Sequence, residues 1–148
     1  MNTPWGLSHT DETITRGVHW VTTAGHGGLM VSNGVAAKAL SERAIAVAHP
    51  GKCGGYVCFE EDCSYAVAFF EHPEWKRFLY QRSLAEWQAS TDTSEYMQKA
   101  KADAVPKLTA KVAKTDDAIR EDMRAIVQRW NAKYFGDATA QPLQQVLI

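Results

Sequence analysis

Two short apolar runs come early in the chain, residues 17–23 (Gly-Val-His-Trp-Val-Thr-Thr) and residues 28–32 (Gly-Leu-Met-Val-Ser), with a glycine-bearing turn between them. β-Branched and aromatic side chains suit a pleated, half-buried backbone, so the pair predicts a β-hairpin with His26 at its tip. Strand alternation then sets Val18, Trp20 and Thr22 on one face and His19, Val21 and Thr23 on the other. The alanine-rich run over 35–49 predicts a helix, stopped by Pro50 and Gly51. Residues 54–59 predict a third strand, since three strands with one covered face are about the minimum for an independent sheet.

From residue 61 the apolar spacing turns helical. Residues 61–72 carry Tyr65, Ala66, Val67, Ala68, Phe69 and Phe70, a segment expected to be mostly buried, and Pro73 ends it. A second helix over 74–89 presents Trp75, Phe78 and Leu79 on one side and Tyr80, Leu84 and Trp87 on another, so it should touch two neighbours. Asp92 and Glu95 have the spacing of a capping box and predict a helix start. Beyond Pro106, the series Leu108, Val112, Thr115, Ile119, Met123, Ile126, Trp130 and Tyr134 keeps one stripe in steps of three or four as far as Gly136. Unbroken, that helix would span roughly 40 Å at 1.5 Å per residue. Pro106 is expected to kink or restart it.

The pattern therefore predicts an α+β fold: a small antiparallel sheet, hairpin plus one strand, packed on helices, with a long C-terminal helical region. The division is an α+β core over 1–89, a helical arm or hairpin packed on it over 90–136, and a tail over 137–148 with an apolar end able to dock, all within a single domain. At 148 residues and 45% apolar content, with five each of Trp, Tyr and Phe, the chain can bury a core without metal or disulfide staples. A net charge of −1 gives no global field to draw nucleic acid or an anionic membrane, so nucleic acid is not an expected partner. The first residues hold neither a basic nor an apolar targeting region, and no run reaches membrane-spanning length; the expected location is the cytoplasm. Along the arm, Lys99, Lys101, Lys107, Lys111 and Lys114 precede Asp116, Asp117, Glu121 and Asp122. Basic residues near a helix start oppose its dipole, so in one long helix this order reads either as a solvated polar face opposite the apolar stripe or, less readily, as a patch for a partner.

The candidate chemistry centres on Cys58-Phe59-Glu60-Glu61-Asp62-Cys63, three carboxylates between two thiols where strand passes into helix. With His26 they form the candidate catalytic set: His26, Glu60, Glu61, Asp62 and Cys63. A Cys63 nucleophile activated by His26 would gain from a helix N-terminus, but like-charge repulsion from the carboxylates raises a thiol pKa. Two or three carboxylates with one imidazole would suit Mg²⁺, Mn²⁺ or Zn²⁺, although no EF-hand, HExxH or paired-cysteine spacing accompanies them. Structurally, carboxylates in a first helical turn cap unpaired N–H groups, and one or two could tie the helix to the His26 turn. Cys53, Cys58 and Cys63, an odd set in two intervals of five, read as structural thiols rather than a disulfide framework or zinc ribbon.

Thr3-Pro4-Trp5-Gly6, Val21-Thr-Thr-Ala-Gly-His-Gly-Gly28 and Gly55-Tyr-Val-Cys-Phe-Glu-Glu-Asp-Cys63 together carry a resemblance. They resemble an uncharacterised domain of phage and mobile-element proteins, marked by Trp-Gly, then Ser-Thr-Ala-Ser-His-Gly-Gly, then Tyr-Glu-Glu-Asp-Cys-Asp-Trp. Gly25 stands for its second serine, Phe59 for its tyrosine and Ser64-Tyr65 for its Asp-Trp. The resemblance covers roughly the first half of the chain and leaves 90–136 outside. It implies that His26, Glu60, Glu61, Asp62 and Cys63 form one constellation, and that the chain is a phage or mobile-element accessory. The expected function is non-enzymatic binding of a host or defence protein, with Lys107, Lys111 and Trp130 as contact residues and homodimerisation through the C-terminal helices as a further use of the arm. No cofactor or metal is expected. The alternative is a small metal-dependent or nucleotide-directed enzyme built on His26 with Glu60, Glu61 and Asp62.

Overall fold

The computed structural model describes residues 1–50 and 53–134. Gly51, the Gly136 end of the apolar stripe and the docking tail of 137–148 lie outside the described residues. A two-stranded hairpin, β1 (Asn2–Thr3) and β2 (Gly6–Leu7), turns through Pro4 and Trp5. A four-stranded antiparallel meander follows in the order β3 (Thr10–Thr15), β4 (Val18–Thr22), β5 (Gly27–Ser32) and β6 (Tyr56–Glu60). The expected hairpin is β4–β5 and the expected third strand is β6. The added strand, β3, is polar apart from Ile14, which is why hydrophobic pattern alone did not find it. As an edge strand it needs only one inward row, supplied by Glu12 and Ile14.

Pairing register sorts the sheet into two faces. Trp20, Leu29 and Phe59 form one cross-strand row, with Val18, Val31 and Val57 beside it; both rows face the main core under the helices. On the opposite face His19, Met30 and Cys58 align, and Val21, Met30, Cys53 and Cys58 make a second, smaller core covered by Trp5 and Tyr56.

The alanine-rich stretch is two helices, α1 (Asn33–Ala39) and α2 (Glu42–Ala46). The break falls at Ser41, whose hydroxyl accepts from Ala44 N as an N-cap while its backbone N–H donates to Glu71. Helix α3 (Tyr65–Glu71) is buried along Ala66, Val67, Ala68 and Phe69, as expected for the most apolar segment. Then come α4 (Pro73–Ala89), α5 (Glu95–Val112) and α6 (Asp116–Tyr134).

The long stripe is thus broken. Thr115, one of its apparent members, caps α6 by accepting from Ala118 N. Helix α6 buries Ile119, Met123 and Val127 against α3 and belongs to the core, whereas α5 holds no buried residue and packs chiefly on α4. Pro106 lies inside α5 without ending it. The cap of α5 is Ser94, two residues beyond the expected Asp92; Asp92 instead accepts from Ser94 N, and that bond holds its carboxyl below the usual range.

Candidate functional site

At one end of the sheet the motif residues meet. Thr23 closes the β4–β5 turn, with its N–H and hydroxyl both donating to the His26 carbonyl at 2.7 Å. Gly27 and Gly28 follow for reasons of space. A Cβ on Gly27 would stand 2.4 Å from Val21 O, and one on Gly28 would stand 2.0 Å from Phe59 O and 2.6 Å from the Trp5 ring. Trp5 therefore lies on a floor that only glycine can form. The acidic run reaches the same place through its backbone, since Glu61 N–H donates to Gly27 O at 3.1 Å.

The carboxylates then diverge. Glu60 meets His49, with Nε2 to Oε1 at 3.3 Å, and His49 in turn sets its ring edge to face with Trp5 at 6.1 Å. Glu61 lies beside Gly27, Asp62 is exposed, and Ser64 turns back to accept from Glu60 N at 2.8 Å. His26 is exposed at the turn, so the imidazole that meets the acidic run belongs to His49. Among the described residues no three His, Cys, Asp or Glu side chains gather closely enough to hold a metal ion. Burial raises the Cys63 thiol above its ordinary value, and Glu60 and Asp62 add to the rise against a lowering by Ser64. It is a poor nucleophile at neutral pH. The Cys58 thiol is raised further, by burial and then by its hydrogen bond with Cys53.

A second concentration of chemistry lies on the helical side. Lys76 of α4 has its ammonium 5.0 Å from the Tyr80 ring centre, 5.5 Å from Tyr65 and Phe69, and 6.0 Å from Trp20. Four rings thus enclose one cation. Burial, and then the charge of Lys111, push Lys76 down to about 8. Lys111 of α5 stands 5.4 Å from the Tyr80 ring centre as well. Burial also pushes the Tyr80 hydroxyl up to about 12. Two clefts share Lys76, Tyr80 and Lys111. One, of about 460 Å³, runs past Glu12, Trp20, Arg82 and Glu86; the other, of about 400 Å³, runs past Tyr65, Asp122, Met123 and Arg129.

The chain matches the family described as Domain of unknown function (DUF7007) over residues 1–146. It belongs to that family. No curated protein and no solved structure matches it. The DUF7007 match takes in α5 and α6, so the helical half lies within the family and is not an addition peculiar to this chain.

Of the sequence-derived contact residues, Lys111 lines both clefts, Lys107 pairs with Asp103 at 3.0 Å on the exposed side of α5, and Trp130 packs against the core. Sequence reasoning passed over Lys76 and Arg129. The signal was Lys76-Tyr80 at helical i, i+4 spacing, with Tyr65 and Phe69 at the same spacing one helix earlier. It likewise read His49 only as a helix end and Trp5 only as a motif letter.

Proposed function

We propose that the chain is a non-enzymatic binding protein that engages a partner protein through α5. The setting is the one its resemblance implies, a phage or mobile-element accessory acting on a host or defence protein. One observation carries this reading: α5 spans 18 residues, none of them buried, and presents Tyr96 with 80% of its surface exposed. A helix that adds no buried residue to the core needs another reason to be held in place, and tyrosine is among the side chains enriched at protein contacts. The sheet-end residues favour the same reading, because their bonds join hairpin, strand and helix. An enzyme built on His26, Glu60, Glu61 and Asp62 would need them convergent, and among the described residues it is His49, not the exposed His26, that pairs with Glu60. The contact set becomes Tyr96, Lys99 and Lys107; Trp130 is set aside because its substitution would disturb the core.

The test is capture from host-cell lysate by the immobilised chain and by a Tyr96→Ser/Lys99→Glu/Lys107→Glu variant. The reading expects a partner retained by the parent and lost by the variant. Equal retention, or no partner on either, would sink it.

A further inference from the structure

The smaller of the two clefts has a charge imbalance that protein contact through the outer face of α5 does not use. It opens between α3, α4, the C-terminal end of α5 and α6. Lys114 at its rim is neutralised by Asp122 at 2.5 Å. Lys76, Lys111 and Arg129 also line it, and none of the three has a carboxylate within ion-pair distance among the described residues. Three cations facing one concave space repel each other unless an anion lies between them.

We propose that this cleft binds the phosphate group of a small phosphate monoester, held by Lys76, Lys111 and Arg129. Two lysines supply mobile point charges, and the arginine supplies the planar fork that fits oxyanions. The Tyr65 and Tyr80 rings, with Met123 and Ile126, give the remainder of the ligand an apolar wall. The volume of about 400 Å³ suits a small molecule. A net charge of −1 provides no long-range attraction for a polyanion, so a discrete small anion fits better than nucleic acid. The lowered Lys76 agrees: burial and Lys111 both work against its charge, and a bound anion would offset both.

Tryptophan fluorescence can report entry, because Trp20 lies 6.0 Å from the Lys76 ammonium. At low ionic strength the chain is titrated separately with adenosine 5′-monophosphate and with sodium sulfate. Saturable binding of the monophosphate is expected, weakened at least about tenfold in Lys111→Gln/Arg129→Gln, as loss of charged hydrogen bonds implies. Both positions are exposed, so the double variant should keep its thermal midpoint, and circular dichroism checks this. Lys107→Gln, whose residue pairs with Asp103 outside the cleft, should bind like the parent. Sulfate binding as tightly as the monophosphate assigns recognition to the oxyanion alone, and weaker sulfate binding adds the apolar wall; both support the site. No saturable response to the monophosphate up to about 10 mM, or a double variant that binds like the parent, would overturn it.

Discussion

Gly28 shows most directly what a single residue decides in this chain. A methyl group there has nowhere to go, with Phe59 O at 2.0 Å and the Trp5 ring at 2.6 Å, whereas one on Gly25 meets nothing within 4 Å. Gly28→Ala should therefore destabilise the protein by at least about 2 kcal/mol, the range for overpacking a filled site, and Gly25→Ala by less than about 0.5 kcal/mol. Urea unfolding of the two variants gives the comparison. Lys76 permits a pH test of the opposite kind. Its folded pKa of about 8 lies below its ordinary value of 10.5, so between those limits the unfolded chain binds more protons and stability gains from rising pH. Above pH 9 the raised Cys58 and Cys63 thiols work against it, and above pH 10 so do Tyr65 and Tyr80. Comparison with Lys76→Met isolates the lysine. The variant should be the more stable at pH 7, with an advantage that shrinks toward pH 10. An advantage that grows with pH would reverse the assignment.

The elements show which parts of the fold a hydrophobic pattern can carry. Strands β4, β5 and β6 and helix α3 were legible because each buries apolar side chains at its own spacing, and α4 because Pro73 marks its start and its aromatic and aliphatic side chains keep helical spacing, although only Pro73 and Trp75 are buried. The polar edge strand β3 was not, because edge pairing is a backbone matter. The stripe through 108–134 misled for a physical reason: two successive helices can share a phase, and Thr115 reads as a tolerable stripe member until its capping bond is seen. The break also reverses the meaning of the charge order. Lys111 lies in the last turn of α5, and Asp116 and Asp117 open α6, so both helices have the charges their dipoles favour. Lys101 likewise reaches the α4 end through the Gln88 and Ser90 carbonyls at 3.4 Å. The charge order therefore gives no sign of a partner. Pro106 remains unfavourable inside α5, since it cannot donate to the carbonyl four residues back. Pro106→Ala should raise stability by about 2 kcal/mol, less whatever chain entropy the proline removes from the unfolded state. A lower unfolding midpoint would mean that the proline is favoured by its surroundings.

At the scale of the whole molecule, the sheet has helices on one face and a small second core on the other, and the motif residues tie the two together at one end. As for the site, the sequence made the convergence of hairpin turn and acidic run legible, through Gly27 and Glu61. It did not show that His49 rather than His26 meets Glu60, because that pairing depends on the path of the segment after α2. No helix among the described residues is long and apolar enough to cross a membrane. Because α6 buries Ile119, Met123 and Val127, a chain stopped at residue 113 should lose its cooperative unfolding transition, which circular dichroism would register. In the proposed function the sheet end is scaffold and the outer helix is the contact surface. Two variants matched in thermal midpoint separate these roles: His26→Ala/Asp62→Asn at the sheet end and Tyr96→Ser/Lys107→Glu on α5, each measured for retention of the partner that the parent captures. Retention by the first and loss by the second are expected. Loss by the first with retention by the second would contradict the proposed function.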